Sequence, residues 1–217
     1  MEMRAFEYAP PTEALSVIYS NDDLIIVDKP SGLLSVPGKT ETDCLESRVK
    51  AAYPDALTVH RLDMATSGLM IFARNSAAQR HIGLQFEKRY VEKTYAARVQ
   101  GHVSGESGHI NLPLICDWPN RPRQMVCFET GKAAQTDWEI VTREKNATRL
   151  ALYPKTGRSH QLRVHMLAIG HAILGDRIYA DDAGFTVAPR LQLHARTLTL
   201  RKPTGGDWVT FRSQTPF

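Results

Sequence analysis

Residues 57–73 read LTVHRLDMATSGLMIFA. Two apolar runs, Leu57–His60 and Gly68–Ala73, flank a tight polar link over 61–67. Runs of this length and make-up, bounded by small and polar residues, read as strands. The link carries an acid, Asp63, two residues after Arg61. Two readings fit it. Asp63 caps a turn, as aspartate often does, or it is a catalytic carboxylate whose partners come from elsewhere in the chain.

Outward from this stretch, strands and helices interleave. Upstream, Val17–Tyr19 and Leu24–Val27 read as short strands around the polar turn Ser20–Asp23, and Lys29-Pro30-Ser31-Gly32 breaks the second. The spacing predicts a helix over 44–53, with Asp43 and Glu46 as a capping box and Pro54 as its stop. A second helix starts at Asn75 or Ser76 and runs to Arg89. Strand signals then dominate, at Thr94–Val99 and His109–Leu114. Gln135–Val141 and Thr148–Tyr153 form a hairpin turning near Lys145-Asn146. A third helix over 159–169 ends at Gly170, the expected C′ position. Leu191–Leu200 and Trp208–Phe211 are the last strands. Adjacent strands with interspersed helices predict an α+β fold, a mixed and mostly antiparallel sheet flanked by helices and loops. Residues 1–16, with Pro10-Pro11, read as an extended lead-in to one domain over 17–217.

Composition narrows the class. The chain has 217 residues, 42% hydrophobic and 23% charged, which is ordinary globular composition. It argues against a disordered chain, a collagen and a coiled coil. No apolar run approaches the roughly 20 residues of a membrane span. The opening MEMRAFEYAPPTEAL has no apolar signal core, and Cys44, Cys116 and Cys127 are too few for a disulfide framework. A reduced, cytoplasmic protein is expected. The net charge is +4, with 18 Arg against 9 Lys. Arginine's planar fork suits phosphates and base edges, although a GC-rich genome yields the same excess.

Several standard motifs fail. Gly38-Lys39-Thr40 is no P-loop, because Leu33 stands where the first glycine is required. Gly157-Arg158-Ser159-His160-Gln161 begins like a nucleophile elbow but lacks the closing glycine. His160 and His165 are five apart and do not share a helix face as metal ligands. No Cys-x-x-Cys pair supports a zinc site.

The third helix adds a partner problem. Leu162, Val164, Met166, Leu167, Ala168 and Ile169 occupy nearly every face, so the helix should be buried with Arg163 inside it. A buried guanidinium is costly unless a carboxylate meets it. Acids are absent from Lys145 to Gly175, so the partner comes from elsewhere, with Asp63 one candidate. The alternative is that Arg163 snorkels to water. Two basic segments stand out as well. One is Lys88-Arg89-Tyr90 with Lys93, Tyr95 and Arg98. The other is Trp118–Gln124, between Cys116 and Cys127, which reads as a projecting hairpin with a basic tip or as plain Pro-rich surface.

These segments, in this order, resemble the RluA family of RNA pseudouridine synthases over most of the chain, from Val17 to the C-terminus. Lys29-Pro30-Ser31-Gly32 resembles its first motif, and His60-Arg61-Leu62-Asp63 with Thr66-Ser67-Gly68 its catalytic motif. Lys93-Thr94-Tyr95 is similar to the strand bearing its active-site tyrosine. Residues 156–165, TGRSHQLRVH, are similar to its third motif. The stretch ICDWPNRPRQ and the short length resemble the family's dual-specificity member, which acts on tRNA and large-subunit (23S) ribosomal RNA. Longer relatives carry an N-terminal S4 domain, for which no room exists before Val17. Asp28 departs from the pattern, where Asn is more usual.

The resemblance implies a reaction. Asp63 is the nucleophile. The bond from ribose C1′ to uracil N1 breaks, the base rotates, and C1′ rejoins C5, without cofactor or metal. The target uridine leaves its stem-loop stack first, at a cost of a few kcal/mol. Arg61 takes the vacated space, Tyr95 stacks on the flipped base and helps remove the C5 proton, Leu162 contacts the base, and Arg163 pairs with Asp63. Arg121, Arg123 and Arg158 are candidates for phosphate contacts. The implied substrates are a tRNA anticodon stem-loop and 23S rRNA, with the enzyme a monomer lacking an obligate protein partner. Two rivals stand beside this reading. A silent RNA-binding module has no use for Asp63, Tyr95 and Arg163. A hydrolase using Asp63 on the same bond releases free uracil.

Overall fold

The computed structural model describes residues 7–217, and the first six residues of the expected lead-in lie outside it. Two compact units make up the chain. Glu7–Lys93 with His194–Pro216 forms an N-terminal unit, and Thr94–Leu193 with Phe217 a central unit. Among the described residues the strands are mixed in direction and mostly antiparallel, with four helices, in line with the α+β expectation.

In the N-terminal unit, β1 (Ser16–Ser20) pairs antiparallel with β2 (Leu24–Lys29), and β2 with β4 (Ser67–Ala73). β3 (Leu57–Thr58) is a two-residue strand on β4. β11 (Leu193–Arg201) runs parallel to β4 and antiparallel to β12 (Trp208–Arg212). β4 is buried along its whole length because both sheet faces are covered, and this is why it reads as a continuous apolar run. Leu24, Ile26, Leu69 and Ile71 pack with Ile82 of α2 (Ser76–Glu87), and Ile25, Val27, Met70 and Phe72 pack with Leu45 and Val49 of α1 (Leu45–Ala52).

Two expectations change here. The cap of α1 is Cys44, not Asp43: the Cys44 thiol accepts from the Ser47 amide, and the Ser47 hydroxyl answers the Cys44 amide. Asp43 instead takes Arg48 Nε and Nη2, each at 2.8 Å. The expected strand 57–60 stops at Thr58 because His60 turns to serve the sheet from the side, its Nε2 accepting from the Ile71 amide at 3.1 Å.

In the central unit, β5 (Glu92–Gln100) begins at the unit boundary and pairs with β10 (Ala147–Pro154). β10 pairs with β9 (Gln135–Arg143), and β9 with β6 (Ser107–Asn111), all antiparallel. The β9–β10 hairpin turns where Lys145-Asn146 was expected. A separate hairpin, β7 (Leu114–Cys116) and β8 (Gln124–Val126), carries a 3-10 turn at Trp118–Asn120. Leu114 of this hairpin packs with Ala134, Tyr179 and Val164 of α3 (Gln161–Ala168). Gly170, at φ +87, ends α3 as predicted, its amide returning to Leu167 O. A short α4 (Asp182–Thr186), capped by Asp181, was not foreseen.

Candidate active site

Asp63 sits at the start of a turn closed by the Thr66 amide donating to the Asp63 carbonyl at 3.0 Å. The side chain is half-buried, and Arg61 two residues earlier is exposed. What distinguishes this loop is how tightly the segment after β2 holds it. Lys29 is fully buried, and its Nζ donates to the carbonyls of Leu33 (2.7 Å), Pro30 (2.9 Å) and Met64 (2.9 Å). Burying an ammonium is tolerable only with such donors satisfied. The Gly32 amide also reaches Met64 O, and the Ser31 hydroxyl reaches Ala65 O at 2.7 Å. Ser35 Oγ donates to Leu62 O and accepts from Leu62 N. Backbone groups on both sides of Asp63 are thereby pinned, so the carboxylate is presented from a rigid base.

The floor of the loop is equally constrained. Gly68 has φ +114, and a Cβ there would lie 2.4 Å from the Ala195 carbonyl oxygen, so β4 and β11 meet at this level only with glycine. Next to it, Ser67 Oγ meets His194 Nδ1 at 3.0 Å. His194 Nε2 meets Ser213 Oγ at 3.0 Å, and the Ser213 hydroxyl donates to Asp28. This buried chain gives the Asp28 departure and the last residues of the chain a concrete role: they tie β2, β4 and β11 together. His60 stacks on Phe86, with ring centroids 4.6 Å apart. Burial, with Lys93 nearby, pushes its pKa down to about 3. The ring is thus neutral, as its acceptor role toward Ile71 requires.

In the central unit, the TGRSHQLRVH segment is organised by Gln161. Its Oε1 accepts from the Thr156 hydroxyl (2.7 Å) and the Arg158 amide (3.0 Å). Its Nε2 donates to Gln135 O and Thr136 Oγ1. His160, at φ 53, takes the left-handed conformation that starts α3. Its Nδ1 meets the Tyr179 hydroxyl at 2.7 Å. His165 is buried, bonded to Thr136 Oγ1 and Leu112 O, and burial lowers its pKa.

Arg163 is buried, as the helix pattern required. The acid that meets it in the central unit is Asp176, the first after the acid-free stretch. Nε donates to Oδ2 at 2.7 Å and Nη2 to Oδ1 at 2.8 Å, a bidentate pair with both residues inside. Asp176 Oδ1 also accepts the amides of Ile178 (2.9 Å) and Tyr179 (3.2 Å). Arg163 and Arg123 both lie over the Tyr179 ring, at 5.0 and 5.4 Å from its centroid. Leu162 is buried, and Tyr95 is half-buried on β5 opposite Leu152. Arg158 is exposed and folds back on Ala133 O. Arg121 lies over the Trp118 ring at 4.0 Å. The Lys88–Arg98 segment is not one cationic surface, because Glu144 takes Arg98 at 2.6 Å.

Lys29, Ser31 and Ser35, and Asp176 with Tyr179, are positioning residues that sequence reasoning did not single out by role. Lysine is rarely buried, so nothing in KPSG marks its ammonium as internal. Among the described residues no helix is long and apolar enough to cross a membrane.

Comparison with known proteins identifies the family. Residues 23–168 match the RNA pseudouridylate synthase family. The chain belongs to that family, whose enzymes isomerise uridine to pseudouridine in RNA. A relative from Escherichia coli K12, the dual-specificity RNA pseudouridine synthase RluA, is 53% identical over 97% of this chain and 98% of its own length. The protein of the same name from Pasteurella multocida is 48% identical over 99% and 100%. Among solved structures, human RNA pseudouridylate synthase domain containing 1 superposes with a TM-score of 0.81 at 28% identity, covering 96% of this chain and 86% of that one. Human RNA pseudouridylate synthase domain containing 4 has the same fold, with a TM-score of 0.76.

Proposed function

We propose that residues 17–217 form the catalytic domain, preceded by a lead-in over 1–16, and that Asp63 is its nucleophile. The observation that carries this is the presentation of Asp63 on a turn pinned on both sides by Lys29, Ser31 and Ser35. The C1′–N1 bond of the target uridine breaks, the base turns, and C1′ bonds to C5. The C5 proton departs and N1 gains one, so mass is conserved. Arg163, held by Asp176 in the central unit, acts as the active-site arginine that the family resemblance implies. Tyr95 stacks on the flipped base and assists loss of the C5 proton, Leu162 contacts the base, and Arg61 fills the vacated space in the RNA. Arg121, Arg123 and Arg158 contact phosphates.

The substrates are a tRNA anticodon stem-loop and 23S rRNA; the relatives' name, dual-specificity RNA pseudouridine synthase, supports there being two RNA substrates. The enzyme works as a cytoplasmic monomer and needs neither metal nor cofactor. Tritium release from uridine C5 in the two transcripts tests this reading. Release from both without free uracil is expected. Uracil in the medium would make the protein a hydrolase, and release from one transcript alone would remove the dual specificity.

A further inference from the structure

The hairpin 114–126 holds an indole that the reaction does not use. Trp118 is 67% exposed, and the Arg121 guanidinium lies over its ring, 4.0 Å from the centroid. Large aromatics in a stable fold bury most of their surface, and the core of the central unit leaves this one outside. Its support is nevertheless ordered. The Asp117 amide donates to Arg123 O (2.9 Å), the Asn120 amide to Asp117 O (2.9 Å), and the Arg123 amide to Asn120 O (3.0 Å). The Asp117 carboxylate is occupied by Asn120 Nδ2 at 2.9 Å. A short two-stranded ribbon is weak alone, and this one is moored to the body. The Gln124 amide donates to the Tyr179 hydroxyl at 2.8 Å, and Arg123 Nη1 reaches Ile178 O at 3.5 Å. The Tyr179 amide in turn binds Asp176, which holds Arg163. A short run of covalent and hydrogen bonds therefore links the exposed indole to Arg163.

We infer that Trp118, backed by Arg121, is a stacking platform for an unpaired nucleobase of the substrate loop other than the target uridine. An indole with a cation over one face can offer the other face to an aromatic ring, and stacking tolerates any base. The arginines of the same tip favour a ring that carries a phosphate over an aromatic side chain of a protein partner. Because the platform is already ordered, little side-chain entropy is lost on binding. The site favours loops that can present an unstacked base. This rests on the substrate being an RNA stem-loop, as proposed above.

The test is equilibrium binding of a tRNA anticodon stem-loop and a 23S rRNA stem-loop. Trp118→Ala should weaken binding by roughly tenfold to a hundredfold, with the salt dependence unchanged, because no phosphate contact is lost. Trp118→Phe should recover most of the affinity. Trp208→Ala is the control, since Trp208 is also exposed beside an arginine but sits in the β11–β12 ladder. It should bind as wild type. Replacing loop nucleotides one at a time by abasic residues should abolish the effect of Trp118→Ala at one position. The inference is overturned if Trp118→Ala binds both RNAs as wild type, including the case in which the indole docks a protein. It is also overturned if the Trp118→Ala deficit persists at every abasic position, or if Trp208→Ala loses as much. Failure of the functional reading shows separately, as no tritium release by wild type whatever the affinities.

Discussion

Asp176→Asn is the most informative single change in the central unit. Asparagine keeps the shape of the side chain and removes its charge. The carboxylate now accepts four donors: Arg163 Nε and Nη2 at 2.7 and 2.8 Å, and the amides of Ile178 and Tyr179 at 2.9 and 3.2 Å. If the amide oxygen takes the place of Oδ1, the amide nitrogen faces Arg163 Nε–H, donor against donor. The opposite orientation sets it against the other three. Either way Arg163 keeps its charge in a buried place and loses the bidentate carboxylate that Asp176 gave it. Breaking a buried pair in this manner costs about 3–5 kcal/mol, against a total stability of roughly 5–15 kcal/mol. At about 2–4 °C per kcal/mol for a chain of this size, the melting temperature should drop by roughly 10 °C. Calorimetry on wild type, Asp176→Asn, Arg163→Met and the double variant measures it. Removing both members of the pair removes the buried charge that Asp176→Asn leaves without its carboxylate, so the double variant should melt well above Asp176→Asn. Its activity should fall as sharply as that of Arg163→Met. An Asp176→Asn protein that melts within 2 °C of wild type, or a double variant no more stable than it, would refute this reasoning.

Two other perturbations probe the N-terminal unit. Lys29→Met removes the donor shared by Leu33, Pro30 and Met64, so the Asp63 loop loosens. Single-turnover tritium release should slow more than tenfold, while RNA affinity, set by phosphate contacts, changes little; turnover within twofold of wild type would show that the clamp does not position the carboxylate. His60 predicts a pH effect. Its folded pKa of about 3 lies below the ordinary 6.5, so under pH 6.5 the unfolded chain binds a proton that the folded chain refuses. Stability is full above pH 6.5 and falls with acid toward pH 3. Urea unfolding at pH 7 and pH 5 should differ by about 1–2 kcal/mol from this group, in a window above that of the carboxylates. His60→Gln should flatten the difference, and an unchanged pH dependence in that variant would count against the assignment.

The order of elements was readable because burial on both faces leaves uninterrupted apolar runs, as in β4, and because turns carry their own residues. What escaped were choices between chemically similar neighbours and pairings across distance. Cys44 and Asp43 stand side by side, and only the fold shows that Arg48 claims the aspartate and leaves the cap to the thiol. Burial of Arg163 followed from the composition of its helix. Which acid answers it did not, because periodicity is silent on how a loop returns to a helix. Asp176 reaches Arg163 only after the chain turns at Gly175, where a Cβ would meet the Arg190 carbonyl at 2.0 Å. The short β3 has a similar cause: Val59 and His60 have strand composition, but the His60 ring is used as an acceptor beside the sheet. The Asp63 loop stands out in the sequence through its motif, whereas its clamp is hidden, since a Lys-Pro pair reads as exposed.

The most direct test of the account compares wild type with Asp63→Asn in single-turnover tritium release, on an RNA that both bind with measured affinity. The account predicts release by wild type, none above background by Asp63→Asn, and affinities within a few-fold of each other. Release by Asp63→Asn at the wild-type rate, with binding intact, would contradict it and move the nucleophile elsewhere in the chain.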